Sequence, residues 1–334
     1  MIKIMKRSST IAILLPEAQL KELFQPADLS ILESLGDCRF NETGEHLDES
    51  AAIDLLRNAS IAVGSWGTVG PNERILRACP QLCLWEHVAG SVKRFFGQHH
   101  DGRELVIASC APAIADSVAE MTMGLLIFGL RRIFEKNHLL LGDSVLPDPP
   151  KVNLFSSRIG VIGASQVGRR VIRFLRHFGA EALLYDPYVE SQEADAMGAR
   201  LMSNLLDLFR QSHAVTLHTP ALAETNKLVG ERHFEAMPDH AVFINTSRGS
   251  CVDEAALVKA LRKRPIFAFL DVVEEGSDSP ESPLANLPNC FLTPHIAGGP
   301  NFRMGEQAVA DIKAFLSGGE PQMAVTPSQL PRLA

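Results

Sequence analysis

The sequence has no uninterrupted apolar run of the length a membrane helix needs. Its longest strongly apolar stretch, Met121 to Leu130, contains Gly124 and Gly129 and stops at Arg131-Arg132, against about 20 residues for a span. A buried core helix is expected there, and no membrane partner. Lys and Arg number 32 against 39 Asp and Glu, a formal charge of −7, and no basic run is apparent. That argues against a nucleic-acid partner, whose binding surface carries a basic patch or stripe. Six cysteines (Cys38, Cys79, Cys83, Cys110, Cys251, Cys290) lie scattered without a CxxC pair, which excludes a zinc-ribbon type of site and a disulfide framework. Reduced thiols and a cytoplasmic location are expected. Cys79, Cys83 and His87 are spaced by fours, but Pro80 interrupts any shared helical face, so no metal is expected. Lys3, Lys6 and Arg7 precede an apolar segment, Ile11 to Leu15, too short for a secretory signal and better taken as a first strand. There is no internal repeat and no low-complexity segment.

What is present is an ordinary globular composition, 46% hydrophobic and 21% charged over 334 residues, a length that suits two domains. From Arg158 to Asp271 short apolar runs alternate with amphipathic stretches, the mark of a parallel α/β sheet. The strands are expected at Arg158 to Ile162, Ala182 to Tyr185, Ala214 to His218, Ala241 to Asn245 and Ile266 to Leu270. Most of these runs are nearly all apolar, as strands buried on both faces are. Helices are expected over Val167 to Phe178, Leu201 to Gln211 and Asp253 to Lys263. The last begins with acids and ends with Arg262-Lys263, which suits the helix dipole. A weaker alternation marks strands at Ile11 to Leu15 and near Ser60 to Val63, Leu82 to His87 and Leu105 to Ala108. Pro147-Asp148-Pro149-Pro150 then forms an exposed connection.

Ile159 to Gly168 (IGVIGASQVG) follows the strand-turn-helix logic of a dinucleotide fingerprint, with Gly163 and Gly168 in place and Ser165 where a second glycine usually stands. By itself this decapeptide also fits a plain tight turn. The next apolar run ends at Tyr185-Asp186, placing Asp186 eighteen residues past Gly168, where a carboxylate meets the adenosine ribose hydroxyls. No arginine lies between Pro187 and Glu190 to meet a 2′-phosphate, so NAD rather than NADP is the expected cofactor. Ser165, small and polar, can still donate to a phosphate oxygen.

Three further segments, Ala241 to Asp253 (AVFINTSRGSCVD), Phe269 to Glu275 (FLDVVEE) and Phe291 to Gly299 (FLTPHIAGG), stand in order behind the fingerprint. With Leu217-His218-Thr219-Pro220, Ala115 to Glu120 (ADSVAE) and a His87-Val88-Ala89-Gly90-Ser91 loop, the chain resembles the NAD-dependent D-isomer specific 2-hydroxyacid dehydrogenases over most of its length. The resemblance implies a doubly wound Rossmann domain, residues 112–289, inserted into a smaller flavodoxin-like α/β substrate domain of residues 1–111 and 290–334, with the chemistry between them. It implies cofactor contacts from Gly163, Ser165, Gln166, Val167, Gly168, Asp186, Thr219, Pro220, Thr246, Ser247, Asp271 and Gly298. Asp271 takes the nicotinamide carboxamide. A small 2-oxo or 2-hydroxy acid is the implied substrate. Its carboxylate is held by the fork of Arg248 and by backbone amides of Ala89, Gly90 and Ser91, with His295 as acid/base. A homodimer is implied as well, packed through the Met121 to Leu141 segment.

One departure from the family pattern concerns the third catalytic group. The glutamate that follows the Asp271 position by five residues is Gly276 here, with Glu274 and Glu275 just before it. Glu275 is the candidate to orient His295. Taken singly, Arg248 also fits a surface arginine, His295 a satisfied core histidine and Trp66 a packed core residue rather than a pocket cap. Gly276 and Ser165 together also suit an NAD-binding interaction protein that has lost turnover. Formate or phosphite oxidation on the same fold is a third possibility, since fold alone does not set the substrate.

Overall fold

The structure, a computed structural model, describes residues 9–96, 105–133, 152–274 and 282–332. The expected connection at Pro147 to Pro150 lies outside the described residues, as do Glu275 and Gly276. The chain divides into two compact units, Met1–Ile114 with Pro300–Leu333, and Ala115–Gly299.

In the first unit, β1 (Thr10–Ile13), β2 (Asp37–Phe40), β3 (Ile61–Gly64), β4 (Leu84–His87) and β5 (Val106–Ser109) pair in parallel in the order β2-β1-β3-β4-β5. This is the flavodoxin-like order. Ile11 and Ile13 pack with Leu23, Leu32, Ala308 and Ile312 on one face of the sheet, while Ala12 and Leu14 pack with Leu56, Ile75 and Trp85 on the other. Both faces are therefore covered, as a parallel sheet requires. The covering helices are α1 (Glu17–Leu23), α2 (Pro26–Leu35), α3 (Glu49–Leu56), α4 (Glu73–Ala78) and a C-terminal helix, Phe302–Leu316, numbered α11. Asp48 and Asn72 cap α3 and α4 by accepting from the amides of Ala51 and Ile75 at 2.8 and 2.9 Å.

Helix α5 (Ala111–Leu130) leads out of the first unit, and its residues from Ala115 on belong to the second. There β6 (Arg158–Ile162), β7 (Glu181–Tyr185), β8 (Ala199–Leu201), β9 (Ala214–Leu217), β10 (Val242–Asn245), β11 (Phe267–Leu270) and β12 (Cys290–Leu292) form one parallel sheet, ordered β12-β11-β10-β9-β6-β7-β8. The chain winds outward in both directions from the β6/β9 pair, the doubly wound plan. Between the strands run α6 (Gln166–His177), α7 (Ser191–Met197), α8 (Leu205–Gln211), α9 (Glu231–Ala236) and α10 (Glu254–Lys263). Phe209, Phe234 and Phe243 fill one side of the sheet, and Leu126, Ile172, Leu175 and Phe269 fill the other.

Four expectations need correction. Residues 290–299 stay with the second unit instead of returning to the first at 290, because β12 pairs with β11 from Ala268↔Cys290 to Leu270↔Leu292. Leu201 to Gln211 is not one helix: β8 ends at Leu201, and Asn204 starts α8 by accepting from the amide of Leu206 at 2.8 Å. Helix α5 runs for 20 residues, long and apolar enough by length and composition to cross a membrane. Half of its most apolar window is buried inside the protein, with Thr122 and Leu126 fully enclosed, while Phe128 is 42% exposed. Basic residues do gather, on α6, where Arg169, Arg170, Arg173, Arg176 and His177 follow one another without an acid. A helical stripe of this kind is not a contiguous run, which is why the linear pattern hides it.

Candidate active site

Every described candidate residue of the second unit lies at or just past the carboxyl end of a strand of one parallel sheet, where open α/β sheets place their ligands. After β6 the chain turns through Gly163 at φ +94°, a left-handed conformation that favours glycine. A Cβ added at Gly168 would stand 2.0 Å from the carbonyl oxygen of Gly163, so only glycine lets α6 start this close to the turn. Ser165 is the N-cap of α6, its Oγ accepting from the amide of Gly168 at 3.3 Å. Its hydroxyl hydrogen stays available to an anion, beside the Gln166 and Val167 amides of the helix start. Asp186, past β7, accepts from the amides of Ala164 at 2.8 Å and Tyr188 at 2.9 Å. The carboxylate thus braces the turn and retains lone pairs for further donors.

Past β9, the Oγ1 of Thr219 is buried with no hydrogen-bond partner among the described residues. An orphaned donor next to a glycine turn, a capped helix start and a strand-end carboxylate fits a dinucleotide. His218, beneath the turn, is fully buried, and its Nε2 lies 3.0 Å from Thr216 Oγ1. Burial pushes its pKa down to about 3, so the imidazole is neutral.

Past β10, Asn245 organises the arginine loop. Its Oδ1 accepts from the amide and hydroxyl of Ser247 at 3.0 and 2.8 Å, and its Nδ2 donates to the carbonyl of Arg248 at 3.0 Å. Thr246 Oγ1 meets Thr122 Oγ1 of α5 at 3.1 Å. A Cβ on Gly249 would stand 1.9 Å from the carbonyl oxygen of Val273, so the Arg-Gly pair is dictated by the backbone passing over it. The motif reading missed Asn245 and Gly249; a polar residue closing a fully apolar strand was the available signal. Arg248 itself is half-buried. Its Nη1 donates to the Ser247 carbonyl at 2.7 Å, and among the described residues no carboxylate pairs with it. Burial lowers its pKa, though a guanidinium stays charged. A desolvated cation without a counter-ion is an anion receptor.

Asp271, past β11, is 2% exposed and holds the loop after β12. Its Oδ1 accepts from Thr293 Oγ1 at 2.5 Å and the Ile296 amide at 2.9 Å, its Oδ2 from the Ala297 amide at 2.9 Å, and its carbonyl from the His295 amide at 3.1 Å. His295 sits on this loop at φ +54°, exposed, so it is not a core histidine. Gly298 follows, half-buried. Glu274 is exposed, and its amide donates to the Glu254 carboxylate; no hydrogen bond joins it to His295 among the described residues. Glu275 lies outside them.

In the first unit, the carbonyls of Ala89 and Gly90 accept from Ser109 Oγ at the end of β5, and Ser91 is exposed. A Cβ at Gly90 would find Ile114 Cδ1 at 3.4 Å, so the fold tolerates a side chain there. Trp66 is 38% exposed, its carbonyl accepting from Gln19 Nε2 at 3.0 Å, and is not a core residue.

Residues 123–297 match the family model described as D-isomer specific 2-hydroxyacid dehydrogenase, NAD binding domain. Among curated proteins, the glyoxylate reductase of Aeropyrum pernix is 30% identical over 238 residues, 65% of this chain and 68% of that protein. The D-3-phosphoglycerate dehydrogenase of Methanocaldococcus jannaschii is 28% identical over 269 residues, 80% of this chain but 50% of that protein. The chain thus spans about half the length of that relative. Among solved structures, D-lactate dehydrogenase with NAD+ from Lactobacillus jensenii superimposes with a TM-score of 0.77 at 22% identity, covering 95% of this chain and 99% of that one, a likeness of fold. The chain belongs to the D-isomer specific 2-hydroxyacid dehydrogenase family, and its second unit carries the NAD-binding domain of that family.

Proposed function

We propose that the protein is an NAD-dependent D-2-hydroxyacid dehydrogenase that works as a reductase of a small 2-oxo acid. The observation that carries this is the desolvated Arg248 guanidinium, without a carboxylate partner among the described residues, on the same sheet edge as the exposed His295. Gly163, Ser165, Gln166, Val167, Gly168, Asp186, Thr219, Pro220, Thr246, Ser247 and Gly298 would hold the dinucleotide, which when bound supplies or accepts the hydride. Arg248 binds the substrate carboxylate through its fork and polarises the carbonyl oxygen. His295 donates a proton to that oxygen during reduction and takes it back during oxidation, a task suited to a group titrating near neutrality. Asp271 holds the loop that presents His295, and Oδ2 keeps capacity for the carboxamide. Glu275 is proposed to orient the imidazole. The family names of the curated relatives favour glyoxylate or hydroxypyruvate as the substrate.

The test is NADH oxidation followed by absorbance over glyoxylate, hydroxypyruvate, pyruvate and phenylpyruvate. His295→Ala is expected to lower kcat about 10²–10⁴-fold, and Arg248→Lys to raise KM, since an ammonium cannot reproduce the fork. NADH binding without turnover of any 2-oxo acid would overturn the enzyme in favour of an NAD-binding interaction protein. We also propose a homodimer formed through the outward side of α5 and the residues just after it, where Phe128 and Ile133 are 42% and 39% exposed. Sedimentation velocity is expected to show a dimer that Phe128→Glu dissociates. A reducing, cytoplasmic setting is proposed as well, where the six cysteines would stay thiols.

A further inference from the structure

Helix α6 is known here for its N-terminus, but its outer side carries a second feature. Arg169, Arg170, Arg173, Arg176 and His177 line a groove of about 750 Å³ together with Ala196 and Met197 of α7. That volume lies in the range of small-molecule sites. Five basic side chains in twelve residues, on a protein with a net charge of −7, form a local field opposite to that of the whole.

Helix energetics alone do not account for them. Arg176 and His177 suit the negative end of the dipole, but Arg169 and Arg170 stand near its positive end, where cations are disfavoured. Arg169 and Arg173, and Arg173 and Arg176, are like-charge neighbours at i,i+4 and i,i+3, each mildly destabilising. Neutralisation is incomplete. Arg169 pairs with Glu193 at 2.6 Å and Arg170 pairs with Asp116. Among the described residues no carboxylate pairs with Arg173 or Arg176. The Arg173 guanidinium lies over the Phe174 ring at 5.4 Å, and the Arg176 stem runs past Gly198, its Cδ 3.3 Å from where a Cβ would be. The Arg169 Nε also donates to the Ala164 carbonyl at 2.8 Å.

We propose that this groove is a binding site for a small polyphosphate, separate from the cofactor cradle. A lone carboxylate or orthophosphate occupies one guanidinium fork. The forks at positions 173 and 176 lie about 4.5 Å apart along the helix axis, which suits linked phosphates, each taken bidentately, while Arg169, already held by Glu193 and the Ala164 carbonyl, adds its charge at the end of the row. Ala196 and Met197 supply an apolar wall for an organic substituent. That wall along one side favours a compact ligand over a nucleic-acid strand, which needs an open track.

The experiment is calorimetric titration of the full-length protein with inorganic tripolyphosphate, with saturating NADH present so that the pyrophosphate cradle is filled. One site is expected, weakening as salt rises. The Arg173→Gln/Arg176→Gln protein is expected to lose at least about tenfold in affinity, with unchanged thermal midpoint and NADH affinity. The site is overturned if no heat appears up to millimolar tripolyphosphate, or if the double variant binds it as well as the parent. Orthophosphate binding as tightly would overturn the polyphosphate class. A single-stranded oligonucleotide binding more tightly than tripolyphosphate would make the surface a nucleic-acid face and overturn the proposal.

Discussion

A single carboxylate connects two strand ends in this site. Asp271 was expected as a cofactor contact, and the structure gives it an earlier duty, since three donors of the 293–297 loop converge on its two oxygens. Hydrogen bonds to a charged acceptor are among the stronger ones. Asp271→Asn keeps the shape and removes the charge, turning an amide NH₂ toward the Ile296 or Ala297 N–H. The expected result is a stability loss of about 1–3 kcal/mol in urea denaturation, together with lower turnover because His295 is no longer fixed. An unchanged urea midpoint would show that the loop does not depend on the carboxylate. At this scale the sequence puts Asp186, Arg248 and Asp271 each just past an apolar run, and the structure has each of them just past a strand. It was silent on Asn245 and Gly249, whose importance comes from backbone passing within reach, a property of the folded chain. It also left Trp66 between pocket and core, and the exposure of the ring decides against the core.

At the scale of elements, the central strands were readable and three others were not. β2, β8 and β12 all lie at sheet edges. An edge strand is half-solvated and tolerates polar residues, and Asp37 to Phe40 (DCRF) is a clear case. Buried strands such as Val242–Asn245 and Phe267–Leu270 need apolar side chains on both faces, and their runs show it. β8 was absorbed into the following helix because Leu201 fits either period, and the separation is made by the Asn204 cap. Capping also explains why the fingerprint survives a serine at its second glycine position. Ser165 at φ −62° needs no glycine conformation, and its hydroxyl closes the first turn of α6. Ser165→Ala is therefore expected to cost about 1 kcal/mol and Ser165→Gly only a few tenths, read from urea midpoints. Equal losses for the two variants would remove the cap as the reason for serine.

For the molecule as a whole, buried titratable groups set how stability responds to pH, and two sets of them pull in opposite directions. His87 and His218 are 2% and 3% exposed and both held near a pKa of about 3, His87 by burial and then by Arg94, His218 by burial. Their folded values lie below the unfolded value of about 6.5, so the unfolded chain takes up protons first. Their contribution is complete above pH 6.5 and is lost as pH falls toward 3, at about 1.4 kcal/mol per pH unit for each. Glu86 on β4 behaves in the reverse sense. It is fully buried, faces Cys110 Sγ at 3.8 Å and the nearby Asp311, and has an unpartnered Oε2. Burial, then Asp311, push its pKa well above the usual carboxylate range. Its contribution is complete below the unfolded value of about 4.5 and declines as pH rises until the folded value is passed. Between about pH 4.5 and 6.5 the two senses therefore compete, each buried histidine raising stability with pH and Glu86 lowering it. Glu86→Gln removes the opposing proton and leaves the histidines. The stability of the variant relative to the parent is therefore expected to climb with pH above 4.5, measured as urea-unfolding free energies from pH 4 to 8. A difference that stays constant across that range would show that Glu86 ionises in the folded protein as it does in water.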